Sequence, residues 1–122
     1  MSESFVIVMA AGPNMPERCA TPFYMASMAA AEGFDTIVYC TSMGTLLLKK
    51  GVAENTFPMG EGGQSVAQFM QMAMQAGVKL GACMPSMEMH QMTQDDLIPE
   101  AELVSAAAGF EVVANADKLI SF

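Results

Sequence analysis

The stretch GVKLGACMPSMEM, residues 77–89, joins a short apolar run to the start of a helix with almost nothing between them. VKLGAC (78–83) has the composition of a strand, and it follows a glycine of the kind that ends helices. Pro85 suits the first turn of the next helix, because proline lacks the N–H that would have no partner there. A helix, a strand and a second helix in direct succession are typical of an α/β chain.

The segments before residue 77 alternate in the same way. SFVIVMA (4–10) and DTIVYCT (35–41) are nearly continuous apolar runs rich in β-branched residues, which is typical of buried strands. We expect three helices around these strands. They run from an N-cap at Thr21 to Gly33, from a cap at Ser42 to Lys50, and from Gln64 to Ala76.

The segments after Cys83 continue the alternation. Thr93 and Asp96 have the spacing of a capping box, AELV (101–104) and KLISF (118–122) are expected strands, and SAAAGFEVVANA (105–116) is an expected helix. Strands that alternate with helices predict an α/β sandwich with a mainly parallel sheet and right-handed crossovers. Since the chain has no linker or internal repeat, we expect one domain over residues 1–122.

Composition excludes several classes of protein. Of the 122 residues, 52% are hydrophobic and only 15% charged, which argues against a disordered chain. No apolar run approaches the roughly 20 residues of a membrane helix, so we expect no membrane partner. The net charge is −8, and the five Lys and Arg form no basic stripe, so we expect no nucleic acid partner.

The N-terminus and the cysteines indicate the compartment. MSES carries no basic leader, and three cysteines without a CxxC spacing do not make a disulfide framework. We therefore expect a cytoplasmic protein with free thiols. No phosphate-binding glycine motif is present, and we expect no cofactor.

The three cysteines all map to one edge of the expected sheet. Cys19 follows the first strand, Cys40 ends the second, and Cys83 ends the third. In an open parallel sheet, sites form beyond the carboxyl ends of the strands, but cysteine is also a common interior residue. Both packing and function remain open for Cys19 and Cys40.

Cys83 has the more reactive setting. A thiol just ahead of a helix that begins at Pro85 faces unpaired N–H groups, which favour the thiolate. These N–H groups lie near Pro85 and Ser86. His90, about two turns on, either assists the thiol or packs as a structural histidine.

The methionines around Cys83 have two interpretations. Met84, Met87, Met89 and Met92 are either packing and interface residues, as methionine usually is, or soft donors. In the second case Cys83, Met87 and His90 would bind Cu(I), which prefers such ligands. The first interpretation is the one we adopt, with no metal site.

Residues 77–104, GVKLGACMPSMEMHQMTQDDLIPEAELV, resemble the signature segment of the DsrE/DsrF-like family. In that family a Gly-Val-Lys strand ends in a cysteine, and a DDLI stretch follows. CMPSM (83–87) resembles the Met-rich turn of the DsrE-type branch. FVIVMAAG (5–12), residues 29–51 and NADKLISF (115–122) resemble further segments of the family in the same order.

The resemblance implies a three-layer α/β/α fold with a five-stranded parallel sheet, assembled into trimers or hexamers. It also implies a sulfur carrier, or sulfurtransferase, whose strand-end cysteine receives sulfane sulfur as a persulfide and passes it to a partner thiol. Cys83 takes that role by position, between sulfur-donor and sulfur-acceptor proteins. A relay through Cys19 and Cys40 is a separate hypothesis, as is a non-catalytic assembly subunit.

Overall fold

A computed structural model describes residues 2–122. Its centre is a sheet of five parallel strands in the order β4-β3-β2-β1-β5. The strands are β1 Ser4–Met9, β2 Asp35–Cys40, β3 Lys79–Cys83, β4 Ala101–Val104 and β5 Lys118–Ser121. The prediction of a five-stranded parallel α/β sandwich is confirmed.

Four α-helices flank the sheet: α1 Thr21–Ala31, α2 Val66–Gln75, α3 Met84–Met89 and α4 Ala106–Ala114. The strand order explains their placement. β1 to β4 lie side by side in chain order, so right-handed crossovers put their connecting helices on one face of the sheet. The return from β4 to β5 runs the opposite way, past β1, and α4 therefore lies on the other face.

The main core lies between the sheet and the face that carries α1 and α2. Ile7, Val38 and Leu80 point into it from three strands, and Phe23 of α1 and Met70 of α2 pack against them. Burying a side chain as large as Phe23 contributes about 1.5–3 kcal/mol. This face is fully packed and fixes the register on which the site depends.

The α4 face is covered more thinly. Tyr39, Cys83 and Val104 form a small buried cluster there, with Val8 against it. Several large apolar side chains on this side stay exposed, among them Phe110, Val113 and Leu119. Cys83 thus lies in the less protected of the two layers.

Two of the expected helix starts differ from the sequence interpretation. Thr21 is the first helical residue, and Ala20 is the N-cap, without a side-chain bond. The segment after β2 is a 3₁₀ helix, Ser42–Leu48, and Ser42 lies inside it. A side chain at Gly44 would overlap the backbone of Met9, so this segment lies directly against the end of β1.

The capping box of Thr93 and Asp96 is confirmed, and it opens a 3₁₀ turn at Gln94–Asp96. A second box, Ser65 with Gln68, starts α2 and was not predicted. Within residues 2–122, no helix is long and apolar enough to cross a bilayer.

Candidate functional site

Cys83 is the last residue of β3 and the N-cap of α3. Only 8% of its surface is exposed, and its neighbours in the buried cluster are Tyr39 and Val104. Side chains alternate between the faces of a strand, so Ala82 points into the main core and Cys83 points toward α4. The thiol is therefore sheltered, yet it sits where a strand ends and a helix begins.

Tyr39 reaches the thiol because of the strand register. Tyr39 of β2 lies directly beside Gly81 of β3, two residues before Cys83. Such a diagonal neighbour is within reach of an aromatic side chain on the same face. Gly81 has no side chain between the two residues, and hydrogen bonding from the Tyr39 hydroxyl lowers the pKa of Cys83.

Gly109 of α4 makes room for the same hydroxyl. A Cβ atom at this position would overlap the Tyr39 hydroxyl and press on its ring. The helix can therefore lie close over Tyr39 only because residue 109 is a glycine. This contact closes the site from the α4 side.

Ser86 supplies two further hydrogen-bond donors. It lies in the first turn of α3 and is 8% exposed, and hydrogen bonding from its hydroxyl and its backbone N–H lowers the pKa of Cys83. The Ser86 Oγ also accepts a hydrogen bond of 2.8 Å from the backbone N–H of Ser42. With one lone pair occupied, the hydroxyl keeps its hydrogen for another acceptor.

These donors set the ionisation of Cys83. Burial by itself raises the pKa of the thiol, but hydrogen bonds from the Ser86 hydroxyl, the Tyr39 hydroxyl and the Ser86 N–H together hold it below its ordinary value of 9.0. Burial raises the pKa of Tyr39 to about 12, and its bond to Cys83 and the charge there add to the effect. Tyr39 thus stays protonated near neutral pH and remains a donor.

Cys19 and Cys40 have the opposite character. Both lie in the main core, on the other face of the sheet from Cys83. The Cys19 Sγ donates to the carbonyl oxygens of Gly12 and Met15, at 3.2 and 3.4 Å. Burial, aided by nearby Glu17, raises the pKa of Cys19 to about 11, and burial raises that of Cys40 to about 12. The sheet does not bring either thiol to Cys83.

The other residues proposed around Cys83 divide into two groups. Met84 and Pro85 are exposed in the first turn of α3, whereas Met87 packs into the main core. His90 caps the end of α3, and its Nε2–H donates to the Ser42 carbonyl oxygen at 2.8 Å. Cys83, Met87 and His90 therefore point to three different surroundings.

This arrangement bears on the Cu(I) hypothesis. Met87 and Cys83 lie on opposite faces of the sheet, and the His90 nitrogen that contacts Ser42 is already bonded. Within residues 2–122, no group of three or more His, Cys, Asp or Glu side chains is placed to hold a metal ion. The structure does not bring the three suggested ligands together.

A groove of about 200 Å³ opens beside α3. Its lining residues are Met84, Met87, Glu88, Met92, Thr93, Gln94 and Leu103. The lining is mostly apolar, and Met84 and Leu103 are each about two-fifths exposed at its mouth. Met87 and Leu103, the strand partner of Ala82, place this groove on the face of the sheet opposite the Cys83 thiol.

Sequence reasoning missed Tyr39, Ser42 and Gly109. Tyr39 looks like an ordinary strand aromatic, and only the register of β2 against β3 relates it to Cys83. Gly109 looks like a weak helix residue, and only the packing of α4 on Tyr39 relates it to the site. A signal did exist for Gly109, since a glycine in the middle of a helix usually has a packing reason. For Ser42, the left-handed backbone (φ 49°) is invisible in the sequence.

The chain has relatives among known proteins. The model of the DsrE/DsrF-like family matches residues 3–122. The crystal structure of the ychN protein from E. coli is similar over 98% of this chain and 99% of its own, with 16% identity and a TM-score of 0.80. MTH1491 from Methanobacterium thermoautotrophicum, a protein of unknown function, is similar over all of both chains, with 17% identity and a TM-score of 0.67. No curated protein matches the chain.

Proposed function

The chain belongs to the DsrE/DsrF-like family, and from that premise we propose that it is a sulfur carrier that holds sulfane sulfur as a persulfide on Cys83. One observation carries the proposal. Of the three cysteines, Cys83 alone has a pKa lowered by hydrogen bonds, while burial raises the pKa of Cys19 and Cys40. The thiolate is the nucleophile in sulfur exchange, so Cys83 is the thiol suited to the reaction.

Loading proceeds by attack on a donor persulfide. The Cys83 thiolate attacks the outer sulfur of R–S–SH, the S–S bond of the donor breaks, and RS⁻ leaves. Cys83 then holds the outer sulfur as Cys–S–SH. No net oxidation occurs, because the sulfane sulfur moves between two thiols of the same oxidation state.

Unloading is the same step in reverse order. An acceptor thiolate attacks the outer sulfur, its new S–S bond forms, and the Cys83 thiolate leaves. The donors from Ser86 and Tyr39 stabilise that leaving thiolate, and a more stable leaving group departs faster. The carrier is in this sense a sulfurtransferase that acts through a cysteine persulfide.

The burial of the Cys83 thiol limits which sulfur donors and acceptors can reach it. Since Cys83 is 8% exposed, a donor or acceptor has to present its sulfur on a narrow group rather than on a flat surface. The donor and the acceptor are therefore either proteins that carry the reacting sulfur on an extended segment or small thiols.

Self-association is part of the proposal. Phe110 and Val113 are three residues apart on α4, so they share one side of the helix, and 69% and 39% of their surfaces are exposed. Leu119 of β5, on the same face of the sheet, is 47% exposed. We call these three residues the α4 patch. Their burial between copies would account for an apolar surface that is costly in water.

Intact-protein mass spectrometry under non-reducing conditions tests the carrier function. Wild type, Cys83→Ser and Cys40→Ser proteins are exposed to polysulfide and then desalted. We expect wild type and Cys40→Ser to gain one sulfur atom that dithiothreitol removes, and Cys83→Ser to gain none. Equal gains in wild type and Cys83→Ser, or no gain in any protein, would contradict the proposal.

A further inference from the structure

Ser42 is held in an unusual backbone conformation beside the site. Its φ of 49° lies in the left-handed region, which residues other than glycine seldom adopt. Such a conformation persists where the surroundings over-determine it, and it is common at functional sites. Two hydrogen bonds do this here, and both connect the Ser42 backbone to α3.

The two bonds have opposite directions. The Ser42 N–H donates to the Ser86 Oγ, and the Ser42 carbonyl oxygen accepts from the His90 Nε2–H, each at 2.8 Å. Ser86 of α3 and His90, the C-cap of α3, are four residues apart, so both contact Ser42 from the same side of the helix. The Ser42 side chain takes part in neither bond.

The hydrogen bond from the Ser42 N–H constrains the direction of the Ser86 hydroxyl. At Ser86 the Ser42 N–H occupies a lone pair on the oxygen, which leaves the hydrogen to bond to Cys83. A tilted or released Ser42 would free Ser86 to rotate away.

We propose that His90 is a positioning residue for the thiol: it locks Ser42 in the left-handed conformation, and Ser42 in turn aims the Ser86 hydroxyl at Cys83. His90 thereby acts through two intermediates and touches neither the sulfur nor a substrate. This role of His90 rests on the proposed carrier function, because it sets the reactivity of the carrier cysteine. A purely structural role would tie the same segments together without affecting the thiol.

Alkylation of Cys83 by iodoacetamide measures the role without any sulfur donor. Rates are followed peptide by peptide from pH 6 to pH 10 for wild type, His90→Ala, His90→Gln and His90→Asn. We expect His90→Ala to slow Cys83 at pH 7 by about threefold, because a misdirected hydroxyl stabilises the thiolate less. At least one of the two amide variants, which can still donate to the Ser42 carbonyl, should restore most of the rate. Met89→Ala, an exposed neighbour on α3, is the matched control.

A double variant separates positioning from packing. In a Ser86→Ala background there is no hydroxyl to aim, so His90→Ala should slow alkylation no further. Melting temperatures, measured on every variant, show whether each remains folded. An unchanged rate in His90→Ala, a loss that neither amide restores, or an equal loss in the Ser86→Ala background would each overturn the proposal. Since alkylation requires no sulfur loading, these outcomes leave the carrier function to its own test.

Discussion

At the residue scale, the site is a competition between burial and hydrogen bonding at one sulfur atom. Burial alone would keep Cys83 a thiol, as it does Cys19 and Cys40. What distinguishes Cys83 is the set of donors that the α4 face and the first turn of α3 provide, because hydrogen bonds to a charged group outweigh those to a neutral one. The chemistry of the thiol therefore depends on Tyr39 and Ser86.

Replacing Tyr39 by Phe removes one of these donors and keeps the ring. We expect iodoacetamide to alkylate Cys83 about three- to tenfold more slowly at pH 7, with the pH–rate midpoint moved upward. Tyr24→Phe, at an exposed tyrosine on α1, is the control and should match wild type. A Tyr39→Phe profile that overlays wild type would show that the hydroxyl does not act on the thiol.

At the element scale, the sequence was informative where a rule acts locally. The five strands were placed correctly, and Thr93 with Asp96 gave a correct cap. The helix predicted to begin at Pro85 begins one residue earlier, at Met84. Local rules failed at Ser42, which lies inside a 3₁₀ helix whose Gly44 packs directly against the backbone of Met9. They also could not reach Tyr39, because the pairing of β2 with β3 is a long-range fact that no local pattern specifies.

A substitution at Gly109 tests the close packing of α4 on Tyr39. A Gly109→Ala variant would overlap the Tyr39 hydroxyl, so we expect a loss of about 1–3 kcal/mol in the free energy of unfolding. Alanine stabilises a helix more than glycine does, so helix propensity alone predicts a small gain in the free energy of unfolding. Urea unfolding at pH 7 shows whether the variant is less stable than wild type, as the overlap predicts, or more stable, as helix propensity predicts.

The double variant Gly109→Ala with Tyr39→Phe tests the cause. Phenylalanine has no hydroxyl, so the second change should relieve part of the overlap, and the combined loss should be smaller than the sum of the single losses. Additive losses would mean that Gly109 is not matched to the Tyr39 hydroxyl.

At the scale of the whole molecule, the two faces of the sheet differ in how densely they are packed. The face that carries α1 and α2 is densely packed and holds Cys19 and Cys40 as neutral core thiols. The α4 face is thin, holds Cys83, and leaves the α4 patch exposed. The sheet thus separates Cys83, the proposed carrier residue, from the two core thiols.

The core thiols predict a loss of stability in alkaline solution. A thiol whose pKa is raised on folding binds its proton more tightly in the folded state, so it stabilises the protein below pH 9 and that contribution declines as pH rises toward 11 or 12. We expect Cys40→Ala to be less stable than wild type at pH 7 but to lose less between pH 8 and pH 11. Urea unfolding at both pH values checks this, and parallel losses in the two proteins would contradict it.

Self-association is tested on the α4 patch. We expect light scattering after size-exclusion chromatography to give three or six chains for wild type and one chain for Phe110→Glu, because a carboxylate in an apolar interface is strongly unfavourable. Met59→Glu, at a loop residue that is 82% exposed, should behave as wild type. A monomeric wild type, or a Phe110→Glu protein of unchanged size, would contradict the assignment.

Transfer of sulfur from Cys83 to an acceptor thiol can be followed with an isotope label. The protein is loaded with ³⁴S-labelled polysulfide, desalted, and mixed with glutathione, and mass spectrometry follows the label on each cysteine peptide and on the small thiol. We predict that one labelled sulfur leaves the Cys83 peptide and appears as glutathione persulfide, with none on the Cys19 or Cys40 peptides. Label that stays on the protein, or that resides on either core cysteine, would contradict the account.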